Sequence, residues 1–256
     1  MSTENNEFFE LLKTLANEQA FDLELLNGTT IKCKQLSTAQ LKELIKTIVD
    51  SPITQIEFNS TATRIFKQSA TFPDGYVPNV IDRLLFLLET RIQTISSKMT
   101  IVNNDSSFVV DFENVKQKIK EQIALNKSLF EQGESSESSF GLTFGPPTLL
   151  AEEQLNSEIY SDMIVNTDDP QELRKLVGNI FVYEIAKSLK TVKIQDKIMD
   201  LSTGTFENRV KVIESIPASA IQKAIEYIEK QKRVIDECLT VNDYTIPIDG
   251  SLFSLR

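Results

Sequence analysis

Apolar positions along this chain recur with two periods, 3.6 and 2, and the switches between them mark off its elements. Phe8, Leu11, Leu12 and Leu15 share one face and predict a short amphipathic helix over residues 7–20. The period then falls to two: Phe21, Leu23 and Leu25 alternate before Asn27-Gly28, and Ile31 and Cys33 alternate after it. Asn-Gly favours the positive φ angles of a tight turn, so a β-hairpin is expected over 21–34. Helical spacing returns with Leu41, Leu44, Ile45, Ile48 and Val49, behind Ser37 and Gln40 placed as a capping box. Ser51-Pro52 restarts the chain, and Ile53, Ile56, Ala62, Ile65 and Phe66 carry a second helix to about Gln68. The loop SATFPDGYVPN ends it.

Val80 to Ser97 is the most apolar helix. Ile81, Leu84, Leu85, Leu88, Ile92 and Ile95 lie on one side, and Phe86 and Leu87 widen that face, the pattern of a helix buried between neighbours. Arg83, Glu89 and Arg91 are expected at its solvated edge. A second hairpin is expected near 100–112, where Ile101, Phe108, Val110 and Phe112 flank Asn103-Asn104-Asp105. A charged helix should follow from Asn114 to Phe130. GESSESS at 133–139 reads as a flexible linker or loop tip, and Phe140, Leu142 and Phe144 as a strand emerging from it.

A helix is expected over Ala151–Met163, and a longer one from Asp169-Pro170, its buried face running from Leu173 through Ile185 to Leu189. Gly178 within that face suits a close approach of another backbone. Thr205 can cap a helix to Ser215, and Pro217 can open another to Leu239. In the tail, Ile246 and Ile248 alternate around Pro247, which predicts an edge strand. The resulting expectation is a predominantly helical α+β protein, helical blocks with two or three short β-hairpins. It divides into residues 1–97, a variable lobe over 98–165, and a C-terminal helical block over 166–256 packed on the N-terminal one.

Composition narrows the chemistry. The net charge of −10 provides no field to collect phosphate backbone, so nucleic acid is not an expected partner. No apolar run reaches the about 18 residues of a membrane span, and MSTENNEFF has neither the basic start nor the apolar core of a signal peptide. The chain has no histidine, which removes Ser/His and Cys/His nucleophile pairs and most transition-metal sites. Cys33 and Cys238 form no metal-ligand spacing and read as small, partly buried apolar residues in a reducing cytoplasm. No phosphate-cradling glycine motif, GxSxG, HExxH or EF-hand loop is present. Neither a cofactor nor a metal is expected.

The remaining carboxylates cluster as Glu152-Glu153 with Glu158, Asp162 and Asp168-Asp169, in a setting where solvated charges are the ordinary outcome. Glu184 and Lys187, one turn apart beside Tyr183, read as a surface ion pair.

Two separated blocks carry a family resemblance. IKCKQLSTAQLKELIKTIVDSP with IDRLLFLLETRIQTIS, and DDPQELRKLVGNIFVYEIAKSLKTV with RVKVIESIPASAIQKAIEYIEK and TIPIDGSLFS, resemble the baseplate hub and hub-assembly proteins of T4-type bacteriophages. The resemblance rests on apolar pattern plus Lys34-Gln35-Leu36, Asp50-Ser51-Pro52, Arg91, Glu184, Lys187 and Pro217. It implies a non-enzymatic tail protein, a hub component or assembly factor that associates with other baseplate hub proteins in the host cytoplasm and in the virion tail. It leaves self-association open and carries no active-site residue. Lys34, Gln35, Arg91, Glu184 and Lys187 are the interface candidates it implies. The alternatives are a carboxylate-based tail hydrolase using Glu152, Glu153 and Glu158, and a generic intracellular adaptor.

Overall fold

The computed structural model describes residues 19–47, 49, 52–103, 106–131, 133–137, 140–164, 169–202 and 204–253. Helices dominate, joined by antiparallel strand pairs, which is the expected predominantly helical α+β class. The chain forms two compact units, one of residues 1–117 with 241–256, the other of residues 118–240. The expected boundaries at 98 and 166 therefore fall inside units. The second hairpin belongs with the N-terminal elements, and of the expected C-terminal block only residues 241–256 return to the first unit.

In the first unit, β1 (Ala20–Glu24) pairs antiparallel with β2 (Thr30–Lys34). The register sets Phe21 opposite Cys33 and Leu23 opposite Ile31, so one face carries four buried apolar side chains. The loop between the strands has Gly28 at φ 82°, and Asn27 Oδ1 accepts from the Thr29 N–H. The helix expected over 7–20 lies outside the described residues up to residue 18, and Ala20 starts β1. Helix α1 (Thr38–Lys46) has the expected capping box between Ser37 and Gln40. It is followed by α2 (Pro52–Ser69) and α3 (Val80–Thr94).

Every residue of α3 from Ile81 to Arg91 is buried. Its core contacts are aromatic: Phe86 stacks on Phe66 at 4.7 Å between ring centres, and Phe66 meets Phe72 edge-on at 5.1 Å. Such pairs add about 0.5–1.5 kcal/mol to their area burial. β3 (Lys98–Asn103) and β4 (Ser106–Asp111) form the expected second hairpin. They lead into α4 (Phe112–Leu125), which ends at Asn126 before a short α5 (Lys127–Glu131), where one helix to Phe130 was expected.

The second unit is built on a four-stranded antiparallel sheet, in order β5 (Gly133–Glu137), β6 (Phe140–Phe144), β7 (Leu189–Ile194), β8 (Lys197–Asp200). Two expectations fail here. The Gly-Glu-Ser-Ser stretch expected as a flexible linker supplies β5, because pairing with β6 satisfies backbone groups whatever the side-chain polarity. The face expected to continue helically to Leu189 stops at Ser188, and Leu189 opens β7. Around the sheet lie α6 (Leu149–Ile164), α7 (Pro170–Ser188), α8 (Phe206–Ser215) and α9 (Ala218–Leu239). Asp169 caps α7 and Thr205 caps α8. A Cβ added at Gly178 would meet nothing within 4 Å, so no close backbone approach explains that glycine.

After α9 a two-residue hairpin turns at Asn242 and Asp243, both at positive φ, and connects β9 (Thr240–Val241) to β10 (Tyr244–Thr245). The edge strand expected around Pro247 is not formed: Ile246 to Ile248 are irregular and lead into a 3-10 turn at Gly250–Phe253. That turn seats on the end of α1. The Gly250 N–H donates to Thr47 O at 3.0 Å, and the Val49 N–H donates to Asp249 Oδ2 at 3.3 Å. Among the described residues no helix is long and apolar enough to cross a membrane.

Candidate functional site: an apolar groove in the second unit

The charged residues of α3 are interior, contrary to the solvated edge expected for them. Asp82 is fully buried and accepts three bonds: from the Leu26 N–H at 2.7 Å, the Tyr76 hydroxyl at 2.7 Å and the Asn79 N–H at 3.0 Å. Burial pushes its carboxyl above the usual range, and the three donors pull it back. Arg83 Nη1 donates to Thr63 Oγ1 at 2.7 Å and to Asn59 O at 3.3 Å. Glu89 accepts from Lys116 Nζ at 2.5 Å and from Gln93 Nε2 at 2.8 Å.

Arg91 is 2% exposed, lies 5.4 Å from the centre of the Phe112 ring, and leaves Nε and Nη1 without an acceptor. Burial lowers its pKa. These charges go inside because α3 is covered on all sides, and Asp82, Arg83 and Glu89 meet partners on neighbouring segments at Leu26, Tyr76, Thr63 and Lys116. Arg91 is thus buried in the fold of the first unit, and its guanidinium is not presented at a surface.

The other interface candidates are at or near the surface. Lys34 is exposed at the end of β2, and Gln35 is half-buried just after it. Glu184 and Lys187 form the expected ion pair on α7, with Tyr183 beside them packed edge-on against Phe206 at 5.3 Å. Lys34 and Gln35 belong to the first unit and Glu184 and Lys187 to the second. The carboxylates of α6 divide: Glu152 is buried, Glu153 half-buried, and Glu158 exposed on a cleft of about 670 Å³ that Glu207 and Glu214 of α8 also line. Asp169 is the α7 cap, accepting from the Gln171 N–H at 2.8 Å; Asp162 lies on α6, its side chain outside what is described, and Asp168 lies outside the described residues. No group of His, Cys, Asp and Glu able to hold a metal ion occurs among the described residues. Cys33 and Cys238 are free and buried, and burial, aided by Glu89 and Asp22, pushes the Cys33 thiol up to about 12, away from thiolate chemistry.

A groove of about 1090 Å³ lies in the second unit. The sheet register explains it. Phe140 pairs with Ile194, Leu142 with Val192, and Val192 with Met199, so these five side chains share one face of β6–β7–β8. At the inner end Leu142 and Val192 are covered. Ile194, beyond Val192 on β7, and Met199, opposite Val192 on the edge strand β8, are 57% and 58% exposed. The opposite wall is the elbow between α8 and α9, formed by Val212, Ile216 and Pro217. Pro217 makes that elbow, since it has no N–H to donate and sits as the N-cap of α9.

Among the described residues the ionisable side chains lining the groove are Lys197 and Lys211, one on each wall. Neither makes a side-chain ion pair or hydrogen bond among the described residues. The sequence signal for this site was present in Val192, Ile194 and Met199, whose alternation falls across the two-residue turn Gln195-Asp196. It was masked because the segment begins as the continuation of a helical stripe.

Deeper in the same unit, Lys190 and Arg209 are two neighbouring cations held by backbone oxygens. Lys190 Nζ donates to Pro146 O at 2.8 Å; Arg209 Nε and Nη2 donate to Leu201 O at 2.8 Å and Ser202 O at 2.9 Å. Burial and the nearby guanidinium bring the Lys190 ammonium down to about 8. The Arg209 bonds fasten the end of the β7–β8 hairpin to α8, and the Lys190 bond ties the start of β7 to the loop after β6. Compared with known protein families, with curated proteins and with solved structures, the chain matches none of them.

Proposed function

We propose that this chain is a non-enzymatic association protein, a component or assembly factor of the baseplate hub of a contractile-tailed, T4-like bacteriophage. The observation that carries the association is the groove of the second unit, where Ile194 and Met199 stand exposed on one face of the sheet. Exposed contiguous apolar surface of this kind marks protein contacts. The assignment to the hub rests on the resemblance of the two sequence blocks. It is supported by the seating of Asp249-Gly250 from one block on the end of α1 from the other.

The test is genetic and structural. Disrupting the gene in its phage should leave tails without functional hubs, and a tagged chain should co-purify with baseplate intermediates. Normal baseplates in its absence, together with intermediates that never contain it, would remove the hub reading.

A further inference from the structure

We propose that the groove of the second unit receives an amphipathic helix of a partner protein, with carboxylates bordering its apolar stripe. The proposal rests on the association reading and names the kind of partner. Its first support is charge. In a chain of net charge −10, the ionisable groups that line the groove among the described residues are the cations Lys197 and Lys211, on opposite walls and without an ion-pair partner among those residues, Lys211 also bordering the cleft of Glu158, Glu207 and Glu214. An occupant that is apolar in its centre and acidic along both margins neutralises both lysines. One with basic margins would meet like charge on each side.

The second support is shape. At about 1090 Å³ the space lies at the upper end of the about 300–1,000 Å³ range of small-molecule pockets. Its walls, a sheet face and a helix elbow, leave room for one more helix laid on the sheet beside α8, anchored by residues at i, i+3, i+4 and i+7.

A strand added to the edge of the sheet fits less well. β8 has four residues, and the Leu201 N–H bond to Lys190 O sets the ladder so that Lys197 and Met199 face β7. Only the backbone groups of Ile198 and Asp200 are then turned outward, and the Asp200 carboxylate at that edge already accepts from Ser202. Two residues of free edge give few main-chain bonds to an added strand.

Because the chain contains no tryptophan, a Trp in the partner reports binding without background. The probe is a synthetic peptide long enough for about four helical turns, with Leu and one Trp in the apolar stripe and Glu along both margins. Titrating the purified full chain into it should give a saturable blue shift of the Trp emission. The same peptide with Lys at the margins should bind at least about tenfold more weakly. Reversing Lys197 and Lys211 together to Glu should invert that preference, and Met199→Asp should abolish binding of both. All three positions are at the surface, so circular dichroism of the variants should match the parent.

Equal binding of the two peptides, or binding that survives Met199→Asp, overturns the proposal. Tighter binding of an alternating Val/Glu strand peptide overturns the helix. A concentration-dependent dimer that Ile194→Asp dissolves shows a second copy to be the occupant and overturns the separate partner. Peptide binding combined with normal baseplates in a phage carrying Met199→Asp leaves the groove chemistry standing and removes the hub role.

Discussion

Gly250→Ala tests the junction between the tail and the first unit. A Cβ placed on Gly250 would lie 2.5 Å from Leu44 O and 2.8 Å from both Ile45 O and Thr47 O. All three are main-chain carbonyls at the end of α1, so no flexible side chain can swing away to make room. The tail would have to lift, weakening the Gly250 N–H bond to Thr47 O and the Val49 N–H bond to Asp249. Overpacking of this kind costs about 1–3 kcal/mol, and one lost hydrogen bond about 0.5–1.5 kcal/mol. A total near 2–4 kcal/mol corresponds to a fall in Tm of roughly 5–15 °C for a unit of this size. Calorimetry measures it, and hydrogen exchange should show α1 losing protection before α3. Gly178→Ala is the control: that helical Cβ meets nothing, and the change should stabilise by about 0.5–1 kcal/mol. An unchanged midpoint for Gly250→Ala, or equal effects of the two substitutions, would refute the steric argument.

Three further outcomes follow from buried charge. Arg91→Met should stabilise the chain by about 1–3 kcal/mol in denaturant titration, since Nε and Nη1 lack acceptors; destabilisation would reveal a partner for the guanidinium. Asp82→Ala strands the Leu26 and Asn79 N–H groups and the Tyr76 hydroxyl, and should cost about 2–5 kcal/mol by the same measurement. Lys190 should titrate near 8 when followed by NMR of its ε-carbon, and a midpoint at the ordinary lysine value would contradict its burial. Its pKa is lower folded than unfolded, so between those values the unfolded chain holds more protons. The Lys190 contribution to stability therefore rises as pH climbs from about 8 toward roughly 10.4.

Local elements with strong punctuation were legible in the sequence. Ser37 with Gln40 and Thr205 each specify a cap through bonds within a few residues and form as expected, while Asn27-Gly28 turns the expected hairpin through a five-residue loop with only Gly28 at positive φ. What the pattern missed depends on long-range partners. Nothing local in Gly133–Glu137 says strand; β6 makes it one. Leu189 suits a helix face and a strand face equally, and its pairing with Phe144 decides. The polar positions of α3 resemble a wet edge until neighbours close around all sides, and then Asp82, Glu89 and Arg83 find acceptors and donors far along the chain. The groove escaped notice for a related reason. Its walls come from positions about 70 residues apart, Phe140 at one end and Val212 at the other, and only the folded second unit joins them.

The first unit is interrupted: residues 118–240 stand in the chain between its body and the segment that seats on α1. On a ribosome adding about 5–20 residues per second, the end of α1 waits roughly 7–27 s after residue 117 before Asp249 and Gly250 exist. Throughout that interval the second unit, continuous in sequence, can complete its own sheet. Translation order thereby makes the groove available before the first unit is closed, and a nascent chain can engage a partner through the one while the other is still unfinished.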